Sequence, residues 1–153
     1  MRARDRDASE GAGAAHGIER GVVGIGDALV RPPATVDEAA IAAAAEHGAK
    51  AGRMVCGFAE VPDGAFVWTR VADGTYRLGR LAGGWRYDDS RQAEEVGIHH
   101  VRPTRWMDRP FGDDEVPTGV ADAFARGGRN FQRVHDSAAE ARTTQLWSTA
   151  GEG

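Results

Sequence analysis

The sequence predicts an α+β domain in which one small, strongly bent sheet carries helices at its ends. Three observations lead there. An alanine-rich helical segment fills residues 35–47, the pattern changes to period two after Pro62-Asp63-Gly64, and short apolar runs parted by glycine turns follow. The 153 residues suffice for one core and fall short of two.

Residues 1–17 are small and polar without periodicity, so a disordered lead-in is expected before a single domain over 18–150. Residues 20–26 read as a short strand closed by glycines. Arg31-Pro32-Pro33 forbids helix and keeps the chain extended. Thr35 then suits an N-cap, with Asp37 and Glu38 in the first turn where the helix dipole favours acids. Gly48 stops this helix, and a second over 51–60 presents Met54, Val55 and Phe58 on one side. Ala65 to Val71 reads as a strand, Asp73-Gly74 as its hairpin turn, and Thr75 to Leu81 as the return. A short piece at Trp85–Tyr87 and a strand over Val96–Met107 follow, with Pro103 marking an edge or a bulge. A short helix over 118–125, a strand over 129–135 and a helix begun at Ser137 and running through Trp147 close the chain.

Composition narrows the function. No run approaches the roughly 18–20 apolar residues of a membrane span, and the N-terminus lacks a signal peptide's apolar segment. A cytoplasmic protein without membrane contact is expected. Cys56 is the single cysteine, which excludes an internal disulfide and every paired-cysteine metal motif. The net charge of −4 argues against a protein that coats nucleic acid through its overall field. The charge is uneven, however: residues 66–110 hold eight arginines and six acids, a local excess of +2. Arginine forks match phosphates and base edges, although genomic composition could produce the same bias.

Catalytic patterns fail one by one. Gly21 to Gly26 (GVVGIG) lacks the helix that a dinucleotide loop must open directly. Neither a phosphate-cradling GxxxxGK[ST] nor a GxSxG elbow occurs. The neighbours His99 and His100 point to opposite faces of a strand and cannot share a metal there without a bulge. Asp88-Asp89 reads as a solvated turn. The only lysine, Lys50, lies between two helices, away from any nuclease-type acid cluster. No acid, base and nucleophile stand in an order that names a reaction, so no enzyme, cofactor or metal is expected.

Aromatic placement remains. Trp68, Trp85, Tyr87, Trp106 and Phe131 fall in or beside expected strands. Core residues and a base-stacking platform obey the same alternation, so both readings stay open.

The blocks GRMVCGFAEVPDGAFVWTR, YRLGRLAGGWRYD, HHVRPTRW and GRNFQRV, in this order, resemble the PUA-like domain at the front of Mrr-type restriction endonucleases, of the EVE and PUA superfamily. The resemblance runs from about Gly21 to Trp147. It implies a small mixed β-barrel flanked by helices, with a pocket that receives a flipped base, often a modified cytosine. The implied pocket joins Gly24, Ile25 and Gly26, Met54 on its helix, and Trp68 and Thr69, with Trp85 and Tyr87 as wall or lid. Arg70, Arg86 and Arg102 become the implied phosphate contacts. The implied function is a non-catalytic reader of modified nucleic acid, DNA before RNA, in restriction or phage defence, acting either alone or with an effector on a separate protein. A small-molecule or nucleotide-derivative sensor and a protein-interaction module are the competing readings.

Overall fold

The computed structural model describes residues 12–26, 28–125, 131–133 and 137–151. Its elements in chain order are α1 (Ala12–Arg20), β1 (Val22–Ile25), α2 (Val36–His47), α3 (Ala49–Glu60), β2 (Phe66–Arg70), β3 (Tyr76–Leu81), β4 (Arg86–Tyr87), α4 (Arg91–Val96), β5 (His100–Trp106), α5 (Thr118–Ala125), β6 (Phe131–Arg133) and α6 (Ser137–Gly151). Helices therefore accompany an antiparallel sheet that curls into a half-barrel, in keeping with the α+β expectation.

Local chemistry explains most boundaries. The Thr35 hydroxyl accepts from the Glu38 amide at the start of α2, and the Glu38 carboxylate accepts from the Ala34 amide, a reciprocal capping arrangement. The β2–β3 hairpin turns where Asp73-Gly74 predicts it. Gly74 takes φ +90°, and the Asp73 carboxylate accepts from both the amide and the hydroxyl of Thr75.

Two expectations need correction. Residues 12–17 are helical rather than part of an irregular lead-in; residues 1–11 lie outside the described residues. The reason is tertiary: Ala14 and His16 are buried, and the Gly17 carbonyl accepts from the indole of Trp106. The strand expected from Val96 instead begins at His100, because α4 precedes it. The Ser90 hydroxyl accepts from the Ala93 amide, and Gly97 closes α4 in the left-handed region.

The sheet order is β1-β5-β3-β2-β6, with β4 also paired to β5. β5 is the hub. Its first half pairs with β1 and β4, and its second half with β3. Pro103 sits at the hand-over from β4 to β3, where its carbonyl accepts from the Ala82 amide. A residue without an N–H suits that break in the ladder.

Both faces of the sheet are covered. On one, Val23, Val67 and Leu81 pack with Phe58, Val61 and Trp106. On the other, Trp68, Tyr76, Leu78 and Met107 pack with Phe111, Val116, Val120 and Leu146, joining the strands to α5 and α6. Gly79 is needed where Trp106 crosses β3: a Cβ there would lie 2.7 Å from the indole. Among the described residues, no helix is long and apolar enough to cross a membrane.

Trp68 is 0% exposed, meets Phe111 edge-on at 5.4 Å and donates its indole N–H to Thr143 of α6 at 3.1 Å. Trp68→Ala should therefore destabilise the fold by about 3–5 kcal/mol. A denaturant titration checks this through the unfolding midpoint.

Candidate functional site

The structure divides the sequence-derived pocket among three places. Gly24, Ile25, Gly26, Trp85 and Tyr87 gather around the start of β5. Ile25 and Tyr87 pair in register with His100, one on each side, and Gly24 pairs with Val101. The His99 amide donates to the Gly26 carbonyl at 3.1 Å. Gly24 is required by packing, since a Cβ there would lie 2.2 Å from Ile98.

The Trp85 indole donates to Nδ1 of His100 at 3.1 Å, and the Tyr87 ring stacks on His99 at 5.6 Å. The Tyr87 hydroxyl accepts from the Leu29 amide at 2.9 Å. Both aromatics pack against the α2–α3 cluster of Leu29, Ala39, Ala43 and Val55. They brace the helical layer in this arrangement.

The second place is the α5–α6 core. Trp68 is fully buried there, and Thr69, on the other face of β2, is fully buried as well, so neither presents a face to a ligand. Met54, the third location, is half-buried on α3.

The three arginines also separate. Arg70 is exposed at the hairpin end of β2, 5.9 Å from the centre of the Tyr76 ring. Arg86 is exposed on β4. Arg102 is 2% exposed, and its guanidinium donates to the carbonyls of Gly83, Phe58 and Val61 and to the Asp63 carboxylate. The expectation of a phosphate contact at Arg102 is thus corrected: its donors are already bound inside the protein.

An open groove lies elsewhere, between the β2–β3 hairpin and α6. It encloses about 300 Å³ and is lined by Gly64, Ala65, Phe66, Arg80, Glu140, Thr144, Trp147 and Ser148. The helix positions 140, 144, 147 and 148 fall on one side of α6 by helical periodicity. Phe66 and Arg80 face each other across the strand ladder.

Three flat groups meet in this groove. The Phe66 and Trp147 rings lie 5.8 Å apart at 57°. The Arg80 guanidinium stands 4.8 Å from the Phe66 ring centre and 5.6 Å from that of Trp147, within cation–π range. Its Nε donates to the Gly64 carbonyl at 2.9 Å, which fixes the fork; the two terminal nitrogens have no hydrogen-bond partner among the described residues. Glu140 adds an acceptor, and the Thr144 and Ser148 hydroxyls add groups that donate or accept.

Sequence reasoning missed this site. Phe66 and Arg80 were within reach, because a hairpin turning at Asp73-Gly74 pairs 66 with 80. Trp147 was not, because only the packing of α6 brings it 81 positions back along the chain to Phe66.

His16 of α1 is the other unusual group. It is buried, and its Nε2 has no hydrogen-bond partner among the described residues. Among the described residues, no three His, Cys, Asp or Glu side chains are grouped to hold a metal ion. The chain matches no family model, no curated protein and no solved structure.

Burial holds the His16 pKa below its ordinary 6.5, helped by Arg20 and opposed by Asp88 and Glu19. The unfolded chain therefore takes up a proton that the folded chain refuses. This contribution to stability is complete above about pH 6.5 and is lost as pH falls below it. Unfolding midpoints between pH 8 and 5 should drop more steeply for the wild type than for His16→Gln; parallel curves would contradict the assignment.

Proposed function

We propose that this chain is a non-catalytic module that binds a nucleobase in the Phe66–Arg80–Trp147 groove, and that its target is nucleic acid carrying a modified base. The observation that carries the reading is the meeting of a stacking surface and mixed polar groups in one small opening. Aromatic rings and arginine planes stack on unpaired bases. An arginine fork pairs with the acceptor edge of a base, and a carboxylate accepts from an exocyclic amine. Arg80 and Glu140 supply these two complements on one lining, and Thr144 and Ser148 can adapt to either. A volume of about 300 Å³ lies at the small end of ligand sites, which suits one base with its modification.

A base inside a duplex cannot enter such a groove, so the target is single-stranded or flipped out of its stack. The likeness to the PUA-like and EVE domains supports a flipped base, a DNA target and a role in restriction or phage defence. The net charge of −4 limits the backbone contribution, leaving discrimination to the groove. That same charge favours a second reading, a sensor of free nucleotide derivatives using the same residues.

The test is a binding titration at low and physiological salt. Labelled single strands and duplexes would carry unmodified, methylated, hydroxymethylated or glucosylated cytosine, with matching RNA and free nucleosides alongside. Tighter binding of one modified strand is expected. Trp147→Ala should weaken it by roughly 5- to 150-fold, the range for one stacked base. Arg86→Gln should weaken all sequences alike and lower the salt slope by about one. Binding of free nucleosides as tight as of strands would favour the sensor, and no binding of either would overturn both readings.

A further inference from the structure

Resting on that reading of the groove, we propose that Arg105 and Arg80 together form a phosphate subsite, so that the ligand is a nucleotide unit and not a bare base. The argument begins with strand register. Phe66 pairs with Arg80, and Arg80 pairs with Arg105. Directly paired residues project from the same face of a sheet. The three side chains therefore form one row across β2, β3 and β5, which places Arg105 next to Arg80 on the groove's side of the sheet.

Two guanidinium groups directly opposite on a sheet repel each other. The Phe66 and Trp147 rings meet part of the Arg80 charge, but neither Arg80 nor Arg105 has an ion-pair partner among the described residues. Three neighbouring arginines are engaged. Arg77 donates to the Met107 carbonyl, Arg102 is paired with Asp63, and Arg109 with Glu115. Arg105 is exposed and holds no such contact. Adjacent forks with free donors fit the oxygens of one phosphate, which would turn the repulsion into shared attraction.

The polarity of the groove is ordered to match. Glu140, Thr144 and Ser148 belong to α6, beside Phe66 and Trp147. Arg105 lies on the opposite side of Arg80, one strand further from β2. A base stacked on the aromatic rings would meet the acid, the hydroxyls and one terminal nitrogen of Arg80 at its edge, while its phosphate would lie between the other Arg80 nitrogen and Arg105, away from Glu140.

The experiment compares each common nucleoside with its 5′-monophosphate and with a trinucleotide bearing the same central base. The wild type, Arg105→Gln, Arg105→Lys and Trp147→Ala would be measured by calorimetry, with near-ultraviolet circular dichroism to verify folding. The wild type should bind monophosphates about 10- to 100-fold more tightly than nucleosides, the range for charge-assisted bonds. Arg105→Gln should remove most of that preference without changing nucleoside affinity, and Arg105→Lys should restore part of it. A trinucleotide bound better than the monophosphate would identify a strand as the source, and equal binding would identify a free nucleotide; both support the subsite. Equal affinity for nucleoside and monophosphate, or a preference that survives Arg105→Gln, would overturn the subsite. If Trp147→Ala still abolished nucleoside binding, the base-binding groove would stand without it. Failure of every ligand to bind would overturn the groove and the subsite together.

Discussion

The guanidinium of Arg102 stands at the centre of this fold, and its hydrogen bonds tie together parts of the chain that lie far apart in sequence. A charge buried this deeply costs several kcal/mol unless partners surround it. Here Nε donates to the carbonyl of Gly83, one terminal nitrogen to those of Phe58 and Val61, and the other to Asp63. The Phe58 carbonyl belongs to the last turn of α3, where helical carbonyls lack partners and the helix dipole favours a cation. Gly83 belongs to the β3–β4 connection. One side chain of β5 thus fixes the helical layer and two turns against the strand that also pairs with β1, β4 and β3.

The groove inherits its geometry from that anchor. With β5 fixed against β3, and β3 joined to β2 by the hairpin, Phe66, Arg80 and Arg105 fall in one row. α6 is docked separately, through Leu146 in the core and through the bond from Trp68 to Thr143. That docking presents Trp147 beside Phe66. Rigid elements therefore hold the stacking surface, as suits a site that discriminates by shape. The Gly64 carbonyl, which orients Arg80, lies in the turn whose Asp63 binds Arg102. Anchor and groove are thus joined by adjacent residues.

Much of this architecture was legible in the sequence, and the failures share one cause. Thr35 and Gly48 mark the ends of α2 because capping is chemistry between near neighbours. The Asp73-Gly74 hairpin was readable for the same reason. Residues 12–17 look disordered by composition, yet they form a helix because Trp106 and the interior receive it. Ser90 and Gly97 flank α4 with legible caps, but two acids before Ser90 and the apolar residues after it favoured a turn and a longer strand. For the site, alternation marked Trp68, Trp85 and Tyr87 equally as core or platform. Only the placement of α6, α2 and α3 separates them. Arg102 shows the limit most clearly: in a local count of arginines it looks like a surface cation, and nothing nearby in sequence announces the carbonyls that enclose it.

The most direct test follows the indole N–H signals of the four tryptophans by nuclear magnetic resonance while a nucleotide is titrated, each signal assigned by a Trp→Phe variant. Binding in the groove should move the Trp147 signal and leave those of Trp68 and Trp85 in place, because the latter two are held by Thr143 and His100. A shift at Trp85 with Trp147 unmoved would contradict the account and place the ligand at the His99–His100 end of β5.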